Sequence, residues 1–180
     1  MRSKLKLLGQ KIVNDRVYLG LGSNLGDRMH HLLFGIDQLT NNDRVRLIKV
    51  SSVYNSEPKY LIDQDDFLNM VIHIETDYSG TELLKIIKKI EFLAGRDFNI
   101  ERNGPRVLDI DILSFQQSTC ITNDLQVPHP KIAERKFVLM PWSEISPKFT
   151  LPDSDISIET LLSECSDTSS IKKYKESVAF

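Results

Sequence analysis

Asp109 and Asp111 stand two residues apart in NGPRVLDIDILSF, residues 103–115, shortly after Arg106. A run this apolar reads as a buried strand, and a strand sends residues i and i+2 to one face. Both carboxylates therefore point the same way, with Cα atoms roughly 6.5–7 Å apart. Three arrangements relieve their repulsion. The pair can raise each other's pKa as an acid–base dyad. It can hold one hard divalent cation, or two set about 3.5–4 Å apart, through oxygen. Or each aspartate can pair with a nearby arginine. The preceding loop, GRDFNIERNGPR (95–106), supplies Arg96, Arg102 and Arg106 and favours the cation. Magnesium-binding carboxylates beside an arginine loop are what phosphoryl transfer from a nucleotide requires. Without the aspartates, the same loop reads as a solvated surface whose arginines pair with Asp97 and Glu101. Gly104 and Pro105 set the turn that delivers Arg106 to the strand.

Other residues are candidates with a plainer reading beside them. His129 is held between Pro128 and Pro130, where a rigid turn can present its imidazole to a phosphate or a base; a lone histidine is otherwise structural. Phe67 and Phe137 read as core. Asn69, on a strand, carries an amide that needs a partner, and a polar heterocycle would satisfy it. Glu91 borders the apolar stripe of a helix. GLGSNLG (20–26) lacks both the G-x-G-x-x-G spacing and a Walker lysine, so it reads as a strand-to-helix turn and not as a cofactor loop.

The elements that must position these groups follow from periodicity. RVYLGLG (16–22) is a strand, and Leu25, Met29, Leu32, Leu33, Ile36 and Leu39 recur at helical spacing behind Asn24 as the expected N-cap. Residues 44–54 suit one strand, 57–66 a loop, and FLNMVIHIET (67–76) another strand. SGTELLKIIKKIEFLAG (79–95) is the clearest helix, with a Ser79/Glu82 capping box and Gly95 to stop it. The order β-α-β-β-α-β predicts an α+β, ferredoxin-like antiparallel sheet with helices on one face and extra C-terminal elements, including a helix around 131–136. Strand phase puts Leu68, Met70, Ile72 and Ile74 toward the helices, with Leu108, Ile110 and Ile112. Phe67, Asn69, Val71 and His73 then share the open face with Asp109 and Asp111.

Composition narrows the function classes. Lys+Arg 23 against Asp+Glu 25 leaves no global basic field for nucleic acid. Cys120 and Cys165 lack any metal-ligand spacing and read as reduced thiols of a cytoplasmic protein. No run approaches transmembrane length. The expected organisation is an N-terminal extension (1–15), one catalytic domain (16–165) and a polar C-terminal tail (166–180) that is a peripheral helix or loose.

Several segments together resemble one family. Arg102, Gly104, Pro105, Arg106, Asp109, Asp111, Ile112 and Leu113 match a basic-x-G-P-R-x-x-D-x-D string followed by two apolar residues. That string is similar to the signature of the 6-hydroxymethyl-7,8-dihydropterin pyrophosphokinase family of folate biosynthesis. LGSNLGDR, VSSVYNSEP, DFLNMV, the Glu91-to-Arg96 run, VPHP and ERKFVLMP are similar to family segments in the same order, over about residues 17–152. The resemblance implies transfer of pyrophosphate from ATP to the pterin's hydroxymethyl oxygen, with release of AMP. It implies two Mg2+ ions on Asp109 and Asp111, with Arg96 and Arg106 in the catalytic loop. Phe67 and Phe137 would sandwich the pterin, Asn69 would bond its edge, and Ser56, Glu57 and Lys59 would contact it. Glu91, Arg96, Arg102, Arg106, Ile112, His129 and Arg135 would hold ATP. Phe98, Asn103, Pro130 and Lys59 depart from residues common in the family. The partners implied are small molecules and other folate-pathway enzymes, with neither nucleic acid nor membrane.

Two rival readings remain. An RNA-recognition module shares the element order, but it needs a basic sheet face where this chain has two aspartates. A catalytically inactive pterin- or nucleotide-binding scaffold within a folate-pathway assembly would keep the fold and lose the turnover.

Overall fold

The computed structural model describes residues 15–97, 104–115, 119–122, 124–152 and 154–175. The chain runs β1 (Asp15–Ser23), α1 (Arg28–Thr40), β2 (Val45–Val50), β3 (Val53–Ser56), β4 (Phe67–Thr76), α2 (Gly80–Leu93) and β5 (Asp109–Phe115). A small hairpin follows, β6 (Cys120–Ile121) with β7 (Gln126–Val127). After a 3-10 turn (Ile132–Glu134) come α3 (Lys136–Ile145), α4 (Ile158–Glu164) and β8 (Ile171–Lys175). The main sheet is ordered β5-β1-β4-β3-β8, with β2 also on β4, and every pairing is antiparallel.

The stretch 44–54, expected as one strand, is two. β2 pairs with the C-terminal half of β4 and β3 with its start, and the break falls at Ser51 and Ser52. Glu144 of α3 holds that break. Its carboxylate accepts from the Ser52 backbone N at 3.2 Å, the Ser52 hydroxyl at 2.8 Å and the Tyr54 hydroxyl at 2.9 Å. The Ser51 hydroxyl accepts from Val71 N at 2.9 Å. Polar groups freed by the interruption are thereby satisfied.

The two sheet faces bury different cores. On one, α1 and α2 set Leu32, Ile36, Leu39, Leu83, Ile87 and Ile90 against Leu68, Met70, Ile72, Ile74, Leu108, Ile110 and Ile112, as the strand phases require. Burial of each such side chain contributes about 1.5–3 kcal/mol relative to exposure. The capping box of α2 is present: Glu82 N donates to Ser79 Oγ at 3.3 Å and Ser79 N to the Glu82 carboxylate at 2.8 Å. The other face is only partly open. There α3 and α4 bury Val138, Leu139, Trp142 and Ile158 against Tyr18, Val71 and Leu113. His73 is buried on this face, stacked on Tyr18 with ring centroids 4.7 Å apart. Helices therefore lie on both faces, the C-terminal pair covering half of the one expected to be free.

Two further expectations change. The N-cap of α1 is Asp27, whose carboxylate accepts from His30 N at 3.0 Å, and not Asn24. The C-terminal tail is neither a helix nor loose over residues 171–175. It is the edge strand β8, with Ser56 opposite Ile171.

Candidate active site

The phase of β5 decides which groups meet. Leu108, Ile110 and Ile112 go to the core, while Asp109 and Asp111 turn to the other face with side-chain exposures of 20% and 38%. Asp109 lies in a fork of arginines. Its Oδ1 accepts from Arg96 Nη1 at 2.6 Å and its Oδ2 from Arg106 Nη1 at 2.5 Å. Burial pushes the Asp109 pKa up, but Arg106 and Arg96 outweigh it and hold the carboxyl below its usual value. Asp111 has a weaker partner, Arg135 Nη1 at 3.2 Å. Burial, and then the neighbouring charge of Asp109, push Asp111 up to about 6.

Beneath this pair, Glu91 is fully buried at the end of α2. Its carboxylate accepts from Ile110 N at 2.9 Å, from Lys88 Nζ at 2.8 Å and from Arg96. Burial raises its pKa, against the Lys88 and Ile110 hydrogen bonds. Glu91 thereby supports Arg96 from beneath. Arg96 is also anchored by its backbone N to the Glu91 carbonyl at 3.0 Å.

Asp109, Asp111, Arg106 and Arg135 form the floor of a cleft whose walls are Ser56, Glu57, Lys59, Phe67, Asn69 and Phe137. Ten of the expected site residues are thus brought together, from β3, β4, β5 and the start of α3. Asn69 is buried and donates to Ser56 Oγ at 2.8 Å. Gly22 makes room for it: a Cβ there would sit 3.1 Å from Asn69 Oδ1. Arg135 lies 5.7 Å from the centre of the Phe137 ring. A second groove opens on the other side of Asp111, lined by Lys88, Ile112, Asp124 and His129 among others. The His129 turn is tied to β5 by its backbone N, which donates to Leu113 O at 3.0 Å. His129 Nδ1 accepts from Lys131 N at 3.2 Å, so Nε2 carries the ring proton. Burial, then the charge of Arg135, lower its pKa to about 4. Arg102, Phe98 and Asn103 lie outside the described residues.

Three residues that bear on the cleft escaped the sequence reading. Tyr60 and Gln64 line it. Asn24 joins its parts: its Oδ1 accepts from Arg106 N at 2.7 Å, while its Nδ2 donates to Gln64 Oε1 at 3.0 Å and to Asp65 O at 3.1 Å. The signal available for Asn24 was an asparagine between two glycines at a strand end, which equally suits a helix cap.

A family model described as 7,8-dihydro-6-hydroxymethylpterin-pyrophosphokinase (HPPK) matches residues 18–147. The chain belongs to this family. It is 42% identical over 133 residues to the 2-amino-4-hydroxy-6-hydroxymethyldihydropteridine pyrophosphokinase of Bacillus subtilis, covering 74% of this chain and 79% of that protein. The namesake enzyme of Aquifex aeolicus is 40% identical over 136 residues, which cover 76% of this chain and 83% of that one. Folic acid synthesis protein FOL1 of Dictyostelium discoideum is 42% identical over 139 residues, 77% of this chain but 21% of the longer protein. Among solved structures, wild-type HPPK-DHPS of Plasmodium falciparum with pteroate superposes with a TM-score of 0.67 at 17% identity, over 84% of this chain and 42% of that one. The HPPK fold is therefore common to both, a likeness that reaches the layer order and not the individual side chains.

Proposed function

We propose that this chain carries out the reaction of its family, transfer of pyrophosphate from ATP to the hydroxymethyl group of 6-hydroxymethyl-7,8-dihydropterin, with release of AMP, in folate biosynthesis. The observation that carries the assignment to particular residues is the meeting of two compartments at one carboxylate. Asp111 borders both the Phe67–Asn69–Phe137 cleft and the His129 groove. In this reading the pterin lies in the cleft between Phe67 and Phe137, with Asn69 and Ser56 at its edge and Glu57 and Lys59 on the loop beside it. ATP lies along the groove past Ile112 and His129. Its phosphates reach Arg135, Arg106 and Arg96, and Arg102 would add a further cation.

The donor set fits magnesium. Two carboxylates share one strand face, both are partly accessible, and burial, then the charge of Asp109, raises the pKa of Asp111; a bound cation would remove that repulsion. Asp109 and Asp111 would hold two such ions with phosphate and water oxygens completing the shell. Bound there, the metal supplies charge neutralisation at the phosphate oxygens. The protein's own part is positioning and electrostatics. Phe67, Phe137 and Asn69 aim the hydroxymethyl oxygen, and Arg96 and Arg106 would turn from Asp109 to the phosphates as nucleotide and metal bind, in place to meet the charge that develops in the transition state. The oxygen forms its bond to the β-phosphorus as the bond from that phosphorus to the AMP oxygen breaks, and the hydroxyl proton passes to water. No nucleophile from the protein is needed.

The longer Dictyostelium and Plasmodium relatives support association of this domain with other folate-pathway enzymes. A cytoplasmic setting belongs to the same reading and agrees with the two free cysteines. No helix among the described residues is long and apolar enough to cross a membrane. The deciding experiment mixes the protein, ATP, magnesium and the hydroxymethyl-dihydropterin and separates the nucleotides. AMP is expected. ADP in its place would mean a different kinase, and neither product would return the inactive-scaffold reading.

A further inference from the structure

Lys59 stands on the loop beside the cleft, and one of its partners comes from the far end of the chain. Lys59 Nζ donates to Asp167 Oδ2 at 2.7 Å and also to the Glu134 carbonyl. The same Asp167 oxygen accepts from the backbone N of Lys136 at 3.3 Å, the residue before Phe137. Asp167 Oδ1 is held by Ser169, whose backbone N donates at 3.1 Å. The aspartate side chain is only 4% exposed. Three residues on, Ser170 N donates to the Glu57 carboxylate at 3.2 Å and Ser170 O accepts from Glu57 N at 3.4 Å. Pairing then continues into β8, Ile171 against Ser56. Apart from the Lys59–Glu134 bond, each of these contacts is made by a residue beyond 147, where the match to the family model ends.

We infer that Asp167 is a positioning residue for the pterin: it joins the loop bearing Glu57 and Lys59 to the start of α3, and so sets the separation of the two walls of the cleft. The inference rests on the reading of that cleft as the pterin site. One buried carboxylate oxygen receives a donor from each wall, Lys59 from the loop and Lys136 N from the segment that carries Phe137. A loop tied in this way has less conformational freedom to lose when the ring enters. Removal of the carboxylate leaves a partly buried ammonium with the Glu134 carbonyl but no counter-charge, and a helix-start amide without its acceptor. The loop and the tail are thus joined: a lysine within the family-matched region, and an aspartate beyond it that accepts from it.

The test uses the full chain and the variants Asp167→Asn, Asp167→Ala, Lys59→Ala and the Asp167→Ala/Lys59→Ala double. Each substrate is varied in turn, and pterin binding without ATP is followed by fluorescence. Asp167→Ala is expected to raise KM and Kd for the pterin roughly tenfold, with kcat and the KM for ATP within about threefold of wild type. The double variant is expected to fall short of the sum of the two single effects, because the Lys59–Asp167 pair is lost in both. Asp167→Asn preserves shape and an acceptor, so a smaller rise in the same parameter is expected from a folded protein. Unchanged pterin binding in both Asp167 variants overturns the proposal. So does a parallel rise in both KM values accompanied by a lower Tm, which marks Asp167 as merely structural. Failure of the wild-type chain to form AMP defeats the assigned reaction instead, and the pterin Kd comparison still decides the role of Asp167.

Discussion

Asn24 and Arg106 exchange two hydrogen bonds. The Arg106 backbone N donates to Asn24 Oδ1 at 2.7 Å, and Asn24 N donates to the Arg106 carbonyl at 3.0 Å. One asparagine, almost wholly buried, thus sets the backbone position of an arginine that reaches Asp109. Its amide also holds the loop that carries Gln64. Asn24→Ala is expected to lower kcat about tenfold to a hundredfold while the protein stays folded, because Arg106 loses its register without being removed. Steady-state kinetics with circular dichroism check this; a wild-type kcat would show that Arg106 is placed by other contacts.

Asp109→Ala and Asp111→Ala are each expected to lower kcat by at least about a thousandfold, since charge neutralisation at phosphate dominates this kind of catalysis. The two should differ in the magnesium-free protein. Asp109 pairs with both Arg96 and Arg106, so its loss leaves Arg96 to Glu91 and takes from the partly buried Arg106 guanidinium the carboxylate it bonds, which should lower Tm more than the loss of Asp111. Turnover in excess chelator should fall to background for the wild type as well. Near-wild-type turnover by either variant would remove the metal assignment.

On the pterin side, Asn69→Ala is expected to raise KM for the pterin about tenfold to a hundredfold with a smaller effect on ATP, the consequence of an unmade hydrogen bond to a buried polar ring. Gly22→Ala offers an independent probe. The added methyl would lie 3.1 Å from Asn69 Oδ1 and displace the amide, so the same KM should rise although no binding group is deleted. An increase confined to the ATP KM would contradict the placement.

His73 supplies a pH dependence of stability separate from catalysis. It is buried, neither ring nitrogen has a partner among the described residues, and burial followed by the charge of Arg16 lowers its pKa from 6.5. Below about 6.5 the unfolded chain therefore takes up a proton that the folded one resists. The stabilisation is full above that value and declines as pH falls toward the lowered folded value. Replacement by phenylalanine keeps the stack on Tyr18 and removes the titration. Urea midpoints for His73→Phe should accordingly fall less than those of the wild type between about pH 7.5 and pH 5. Parallel declines in both proteins would exclude His73 as a source.

What could be read in the sequence was what depends on near neighbours. The alternation in 103–115 separates Asp109 and Asp111 from Leu108, Ile110 and Ile112 because strand geometry leaves no other choice. The capping box and apolar stripe of α2 are likewise local. The misread parts depend on distant chain. Residues 44–54 looked like one strand because the group that makes the break at Ser51–Ser52 tolerable, Glu144, lies in a helix about ninety residues later. Asn24 looked like a cap because its actual partner, Arg106, is equally remote. The open sheet face was overestimated for the same reason: nothing in β4 itself reveals that Trp142 and its neighbours cover Val71.

The strand β8 has a further effect that has nothing to do with substrate. A sheet that stopped at β3 would end on a bare row of backbone donors and acceptors, a template for a strand from another molecule. Here the outermost strand is IKKYK, and residues 172–175 are exposed. Three of those four are lysines, so a second copy that offers the same strand to this border brings like charges together before any ladder can form. The terminal strand thus acts as an electrostatic guard on that side, and its removal would expose the molecule to edge-to-edge self-association.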